Sequence, residues 1–559
     1  MLTTKKKMPV GVTDFAKLIR QGYYFVDKTG FIRDFWDNHA DVTLITRPSR
    51  FGKTLTLSML KYFFTCENAA ENRLLFADKI ISAAGESYMR EQGTKYVVGL
   101  TLKDVYEEDY ERCLQALANV VSEMYLKFSY LLDSPNLADS EKAYYTAALE
   151  RKLDQVDLKI SLRRLLKFIN SHHHRLPILL IDEYDTPIIA AWERGYYQPC
   201  INFMRTFLGT ALKDNEYLDF AVLTGVTKVS KESIFSGLNN MDVCGVLSAS
   251  YDDAFGFTPE EAAKILTDCG FSQKLPELKK WYDGYVFGNN EIYNPWSVVK
   301  FIKEGCKFEP FWINTSGNSI LREMLENVSR TIGEELGTLV QGGTVEIPEN
   351  GNLVFDDLRF SRDALYTMLL NTGYLKAAKV TRKYDDLGVI ELKIPNKEVL
   401  FAYKSEILRH ISPHNGELAV RNMLHAMLEG DNEKFTERLS DIILDFVSFH
   451  DAAQSESFYH GLLLGFSVLL EGAYKVMSNR ESGLGRFDIA LAPKNNDNPA
   501  VILEIKFTRD ESRLEKLAIT ARQQIEEKAY ATELMRCGAR KIWKYGIAIC
   551  GKKIVVQGK

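Results

Sequence analysis

The sequence lacks any Cys-x-x-Cys pair, and its eight cysteines (Cys66, Cys113, Cys200, Cys244, Cys269, Cys306, Cys537 and Cys550) lie far apart in 559 residues. That spacing excludes a disulfide-dense secreted scaffold and predicts a reduced, intracellular chain. No uninterrupted apolar run approaches the roughly 18 residues of a membrane span. Residues 1–7 are polar and basic, but Pro9, Val10 and Gly11 follow where a signal peptide needs apolar residues. The expectation is a soluble, cytoplasmic protein with no membrane partner. Basic excess is missing as well: 70 Lys and Arg stand against 75 Asp and Glu, a formal charge of −5, so any polyanionic partner has to be met locally. Internal repeats and low-complexity tracts are absent. What remains is 46% hydrophobic, 26% charged and 11% aromatic, the composition of a globular protein, long enough for about three or four domains of ~150 residues.

Apolar runs at 42–46, 96–102, 177–181 and 220–224 alternate with helix-length segments, which predicts a parallel α/β sheet. Polar, turn-rich segments at 341–352, 381–388 and 411–416 read as exposed connections. The region between, with helical stretches at 259–266 and 362–370, reads as a connector. Beyond about residue 430 come a helix at 457–470, strands at 486–492 and 501–507, a helix near 513–529 and strands near 545–549 and 554–556, an αββαβ order. The domains expected are 1–240, 241–400 and 401–559.

The first strand runs into Arg47-Pro48-Ser49-Arg50-Phe51-Gly52-Lys53-Thr54 and then a helix. A loop between strand and helix N-terminus directs backbone N–H groups at phosphate; Lys53 adds a cation and the Thr54 hydroxyl a ligand for Mg²⁺. Gly52 lets the backbone approach. Gly-Lys-Thr alone is a common tripeptide, and Arg47 stands where the full P-loop pattern has its first Gly. A second motif strengthens it: the apolar run at 177–181 ends in Asp182 and Glu183, where a parallel-sheet nucleotide site places one carboxylate in the Mg²⁺ shell and another on the attacking water. Thr224, ending another strand, is a candidate γ-phosphate sensor, although Thr-Gly at a strand end is also an ordinary turn.

These motifs, with Asp27-Lys28, Leu223-Thr224-Gly225, the Phe-Ser-Gly-Leu-Asn-Asn run at 235–240, Trp281-Tyr282-Asp283-Gly284-Tyr285 and Tyr293-Asn294-Pro295-Trp296-Ser297, resemble the AAA-ATPase-like family of bacterial proteins that carry a C-terminal PD-(D/E)XK nuclease-superfamily domain. The family's loop usually reads Arg-Pro-Arg-Arg-Phe-Gly-Lys-Ser, so Arg47 is the family's own variant and Ser49 a departure that leaves Arg50 as the retained loop cation. The resemblance implies ATP binding by the first domain, with hydrolysis expected. It also sets Asp27 and Lys28 near the nucleotide, with a surface salt bridge as the competing reading. The aromatic segments at 281–285 and 293–297 read as packing and turn elements rather than a base-stacking platform.

In the last domain, Gly485-Arg486-Phe487-Asp488 is followed by a polar loop and Val501-Ile502-Leu503-Glu504-Ile505-Lys506-Phe507. Alternation on a strand puts Ile502, Glu504 and Lys506 on one face, and hairpin-like pairing brings Asp488 beside them. Two carboxylates hold Mg²⁺ (or Mn²⁺) through oxygen, and Lys506 orients or deprotonates water. A bare Glu-x-Lys is usually a solvated strand face, but the longer arrangement matches the PD-(D/E)XK pattern at Asp488, Glu504 and Lys506. The same resemblance makes Glu456 an added metal ligand and sets Gln524 and Tyr530 near substrate phosphate, with solvated helix positions as the competing reading of the last two. His460, four residues after Glu456, reads as packed or hydrogen-bonded. Cations at Arg536, Arg540, Lys541, Lys544, Lys552 and Lys553 support a nucleic-acid partner modestly, and His172-His173-His174 reads as a surface loop rather than a metal site.

The fold class expected is therefore α/β: a P-loop NTPase parallel sheet, a mostly helical, winged-helix-like middle and a restriction-endonuclease-like α/β domain. The function expected is ATP binding and hydrolysis coupled to Mg²⁺-dependent cleavage of nucleic acid, DNA before RNA; the alternative is a nucleotide-controlled sensor or scaffold that binds without cutting. Self-association stays open, with Arg205 the candidate to reach a neighbour's nucleotide.

Overall fold

The computed structural model describes residues 7–228, 241–312, 321, 330–340, 342–349, 355–359, 361–383, 387–411, 416–447, 459–460, 463, 466–470, 473–478, 481–482, 485–528, 530–536 and 538–558. Two compact units emerge: Met1–Ser316 with Glu346–Glu398, and Gly317–Val345 with Val399–Lys559. Most of the 241–400 region, read from sequence as a connector, belongs to the first unit.

Five strands, β1 (Val42–Thr46), β2 (Val97–Thr101), β3 (Ile178–Asp182), β4 (Ala221–Gly225) and β5 (Met241–Cys244), form one sheet in the order β2-β3-β4-β1-β5. Each pairing in it is parallel. β1, β3 and β4 are buried at every residue. Such strands have no solvent-facing side because the sheet is covered on both faces, which is why their sequences are predominantly apolar, with polar residues mainly at their carboxyl ends. The in-register pairs Thr46↔Gly225 and Thr101↔Asp182 line up the carboxyl ends on one edge. β4 lies between β1 and β3, so the loops after β1 and β3 flank the loop after β4 at that edge, where α/β sheets bind ligands. α1 (Lys53–Phe64) follows β1; α2 (Thr186–Arg194) and α3 (Tyr197–Leu212) follow β3.

The rest of the unit contains the hairpin β6 (Tyr285–Phe287) and β7 (Asn290–Ile292), α4 (Pro295–Lys303) and the start of α5 (Lys397–Ile411). Tyr282, Tyr293, Val298 and Phe301 share one apolar core, so the aromatic motifs are packing elements as expected. Two expected connections contain strands instead: β8 (Val345–Pro348) in the first, and β9 (Lys376–Lys383) with β10 (Leu387–Lys393) at the second, in a sheet ordered β8-β10-β9. The Gly, Asn and Pro around β8 and the polar residues at the β9–β10 turn disguise them as loops. His172 and His173 end a helix, Ser161–His173, and His174 is its left-handed cap, so the triple histidine is a helix terminus rather than a loop.

The second unit holds a mixed sheet ordered β11-β14-β15-β16-β17, with β11 (Tyr474–Ser478), β14 (Ile489–Pro493), β15 (Ala500–Phe507), β16 (Ile542–Cys550) and β17 (Lys553–Gly558); β12 (Glu481–Ser482) and β13 (Gly485–Arg486) form a short separate ladder. β15 and β16 are parallel, and α6 (Leu514–Glu527) makes the crossover that a parallel pair requires. Ile502 of β15 and Ile525 of α6 lie in one buried cluster, which fixes the even-numbered face of β15 toward the helix. Among the described residues, no helix is long and apolar enough to cross a membrane. The expected helix at 457–470 is described in part; Glu456, which precedes it, and the 235–240 motif lie outside the described residues.

Candidate functional site

At the edge of the first sheet, the chain leaves β1 through a loop with two left-handed residues, Arg50 at φ +72° and Gly52 at φ +94°. A Cβ on Gly52 would meet nothing within 4 Å, so conformation rather than space demands glycine there. α1 starts at the next residue. Lys53 Nζ turns back to donate to the carbonyls of Arg47 (2.8 Å) and Pro48 (3.0 Å). Burial lowers the pKa of Lys53, opposed by the charges of Glu183, Asp185 and Asp182.

Arg47, set by its position where a P-loop has glycine, is wholly buried. Its guanidinium donates to the carbonyls of Thr46 (2.9 Å), Cys244 (2.8 Å) and Gly245 (2.8 Å), and more distantly to Ser250 and Tyr251 (3.3 Å each). It also lies 4.9 Å from the Phe287 ring centroid. Burial takes its pKa down to about 10, which leaves it charged at neutral pH. This residue staples the loop to the end of β5. Nothing local in the sequence signals that role, since its partners lie about 200 positions away.

Across β4, Asp182 is buried and takes a hydrogen bond on each oxygen, from Thr54 Oγ1 (2.7 Å) and Thr224 Oγ1 (2.5 Å). The structure thus brings together the P-loop threonine, the strand-end acid and the candidate sensor threonine. Glu183 follows in a left-handed conformation, φ +52°, a strain of ~1–3 kcal/mol of the kind that clusters at functional sites. Burial raises its pKa, opposed by Lys53. Asp185 accepts from the backbone N–H groups of Val226 (2.8 Å) and Thr227 (2.7 Å) and from Thr227 Oγ1 (2.9 Å), pinning the loop after β4. Glycine at 225 is forced by space: a Cβ would lie 2.7 Å from Asp185 Oδ1 and from the Tyr184 ring.

Lys28 is committed to Glu261 Oε2 and the Asp253 carbonyl, both at 2.6 Å, and Asp27 to Thr29 and the Ile80 N–H. Lys28 thus forms a partly buried salt bridge with Glu261, whereas Asp27 accepts from backbone and hydroxyl donors. Arg50 is exposed with its guanidinium 4.5 Å over the Trp296 ring, and Arg205 is exposed on α3.

In the second unit, Ile489↔Leu503 pairing of β14 with β15 puts Asp488 beside Glu504. Asp488 Oδ2 accepts from the Ile505 N–H (2.7 Å), and His460 Nε2 donates to the Asp488 carbonyl (3.0 Å), which requires the proton on that nitrogen. Glu504 is 1% exposed. Its Oε1 accepts from Lys506 Nζ (3.0 Å) and Gln524 Nε2 (2.5 Å), while Oε2 is buried without a hydrogen bond from any described residue. Gln524 also reaches the Tyr530 hydroxyl at 3.3 Å. Burial, reinforced by Asp488 and opposed by Lys506, pushes Glu504 up to about 7. No group of three or more metal-ligating side chains occurs among the described residues. Two adjacent carboxylates, one with a bare buried oxygen, still suit a hard divalent cation such as Mg²⁺ or Mn²⁺. Of the terminal cations, Lys544 pairs with Glu526, Lys553 with Glu511 and Arg540 with Asp497.

Residues 9–235 match the AAA-ATPase-like family ("Predicted AAA-ATPase"), and residues 454–559 match the PD-(D/E)XK nuclease superfamily. The chain is also similar to a protein described as uncharacterized in the vnfD 5′ region of Azotobacter chroococcum mcd 1, 26% identical over 493 residues that cover 84% of this chain and 85% of the relative. A parallel sheet with a P-loop at its edge, a largely helical middle and a mixed sheet bearing the Asp-Glu-Lys group belong to a chain with an N-terminal AAA-ATPase-like domain and a C-terminal PD-(D/E)XK nuclease-like domain.

Proposed function

We propose that this protein is a nucleotide-controlled, metal-dependent nuclease, in which the first domain binds and hydrolyses ATP and the second cleaves a phosphodiester bond of nucleic acid, DNA in preference to RNA. The observation that carries the reading is the juxtaposition of Asp488, Glu504 and Lys506, with one Glu504 oxygen buried and without a hydrogen bond from any described residue.

In the first domain Lys53 exchanges the carbonyls of Arg47 and Pro48 for phosphate oxygens, and Arg50 adds a second cation at the loop. Thr54 and Asp182 already share a hydrogen bond and together would hold Mg²⁺. Thr224 senses the terminal phosphate through Asp182. Glu183 is the base: burial makes its carboxylate a better proton acceptor for the attacking water. In the second domain Asp488 and Glu504 are the metal ligands, with Glu456 as a third. When bound, the metal offsets phosphate charge and lowers the pKa of water. Lys506 donates to the scissile phosphate or takes the proton of the nucleophile. Gln524 holds Glu504 Oε1 so that the bare oxygen faces the ligand side.

The test is cleavage of single- and double-stranded DNA and RNA with Mg²⁺ or Mn²⁺, with and without ATP. Asp488→Ala and Lys506→Ala are expected to lose at least 100-fold in rate, the scale of a lost acid–base or ligand group, about 10² or more. Cleavage by Asp488→Ala at the unmodified rate removes the nuclease assignment. Lys53→Ala is expected to lose nucleotide binding, whereas Glu183→Gln keeps binding and loses turnover; unchanged turnover removes Glu183 from the mechanism.

A further inference from the structure

Residues remote in sequence close over the outer side of the P-loop. The Phe51 ring lies 4.9 Å from Tyr285 and 5.1 Å from Phe287, and Arg50 lies over Trp296. Those contacts hold side chains. One contact holds the backbone: Trp312 Nε1 donates to the Ser49 carbonyl at 3.1 Å. The peptide between Ser49 and Arg50 is planar and trans, so fixing its carbonyl toward Trp312 directs the Arg50 N–H to the opposite side. Arg50 is left-handed, and successive N–H groups around such a residue form an anion-binding concavity.

Trp312 is in turn held by an acid that no motif includes. Its backbone N–H donates to Glu398 Oε1 at 2.7 Å, and its ring packs 5.1 Å from Tyr374. Glu398 is fully buried at the start of α5, and Ser297 Oγ lies 3.0 and 2.9 Å from its two oxygens. Ser297 follows Trp296, the ring beneath Arg50. One carboxyl therefore fixes both segments that touch the Ser49–Arg50 corner. Burial pushes Glu398 up to about 8, so at neutral pH it is chiefly the protonated acid, accepting from Trp312 N–H and able to donate to Ser297.

We propose that Glu398 is a positioning residue for nucleotide binding: through Trp312 and Ser297 it holds the Ser49–Arg50 peptide in its phosphate-receiving orientation. The inference rests on the reading of the first domain as ATP-binding. The experiment is equilibrium titration of the full chain with a fluorescent, non-hydrolysable ATP analogue and Mg²⁺, beside thermal unfolding without nucleotide. Trp312→Phe keeps an aromatic ring against Tyr374 and drops the N–H donor together with part of the buried indole; it is expected to weaken binding roughly fivefold, the worth of one neutral hydrogen bond, in a chain that still folds with a lowered melting midpoint. Glu398→Ala is expected to weaken binding at least as much. Glu398→Gln offers an oxygen to Trp312 and an N–H to Ser297, as the neutral acid does, and is expected to restore unmodified affinity. Unmodified affinity in Trp312→Phe, or Glu398→Gln as weak as Glu398→Ala, overturns the proposal. Should Glu398→Ala not fold, the other two variants decide. Nucleotide binding that Lys53→Ala abolishes and Trp312→Phe leaves intact overturns the positioning role alone, whereas an unmodified chain that binds no nucleotide overturns the ATP reading and this inference with it.

Discussion

Asp182 and Glu504 both sit on sheet strands beside a lysine, yet they are held in opposite ways. Asp182 has a hydroxyl on each oxygen, and the neighbouring Lys53 is turned back onto carbonyls of its own loop. Glu504 has two donors crowded on one oxygen and, among the described residues, none on the other. Both acids are proposed to hold a divalent cation, so the contrast lies in what has to be displaced first. At Asp182 the cation would replace hydroxyl donors while Lys53 exchanges loop carbonyls for phosphate, so the P-loop site is self-satisfied until nucleotide arrives. At Glu504 one oxygen has no donor among the described residues, and the protein carries that cost as a buried acid with a raised pKa.

The largest test of this contrast breaks the self-sufficiency of the first site. Arg47→Ala removes the buried cation that serves the carbonyls of Thr46, Cys244 and Gly245. Loss of about 3–5 kcal/mol is expected, comparable with leaving one partner of a buried charged network alone. The readout is urea denaturation of the transition that nucleotide protects; a loss below about 1 kcal/mol means that the loop and β5 do not depend on this staple.

The staple also marks where the sequence stops being legible. β1 is readable to the residue because a run of β-branched and apolar residues bounded by Asp41 and Arg47 admits one strand. The Asp488, Glu504 and Lys506 group is readable because strand alternation and one hairpin register suffice to bring them together. β5 and β11 escape notice: β5 is a four-residue edge strand, mostly half-exposed, and β11 alternates Lys475 with Val476 in a polar neighbourhood. The end of β9 reads as part of a connection because residues 381–388 are mostly polar, and four of the eight residues of β9 are basic. Arg47, Trp312 and Glu398 carry no local pattern, since their partners are set by tertiary packing.

Next in size is Glu504→Gln, which tests the other half of the contrast. Glu504 titrates at about 7 in the folded chain against an ordinary 4.5. Below 4.5 both states are protonated and the group has no effect. As pH rises from 4.5 to 7 the unfolded chain releases the proton first, so folding weakens, by about 3 kcal/mol in all, and stays flat above 7. Glu504→Gln is therefore expected to be more stable than the unmodified chain at pH 8 without metal, and equal to it near pH 4. Mn²⁺ should raise the melting midpoint of the unmodified chain more at pH 8 than at pH 6 and should not affect the variant. Parallel pH profiles for the two chains would rule out the buried acid as the origin.

Gly225→Ala sharpens the first site at smaller cost. The added Cβ, 2.7 Å from Asp185 Oδ1 and the Tyr184 ring, forces apart groups that position Glu183. About 2 kcal/mol of destabilisation is expected, the middle of the range for overpacking, together with reduced ATP turnover. Wild-type turnover despite the lost stability would separate the Asp185 anchor from the chemistry.

The smallest effect on stability, and the one that asks what the second site meets, belongs to the exposed cations before β16. Arg540 pairs with Asp497 only at 3.9 Å with both side chains 79% exposed, and exposed Lys541 lies 4.2 Å over Trp543. Surface pairs of this kind contribute little to folding, so Arg540→Glu with Lys541→Glu should leave the melting midpoint in place. A polyanionic substrate that uses them would bind the variant more weakly. The plot of log affinity against log salt would also flatten, by about 0.7 to 0.9 for each phosphate that the variant no longer neutralises. The same pair of changes should leave nucleotide affinity at the P-loop untouched, because that anion is met by buried groups. Equal salt slopes for variant and unmodified chain would move the nucleic-acid face away from β16 and leave the Asp488, Glu504 and Lys506 cluster to be approached from another side.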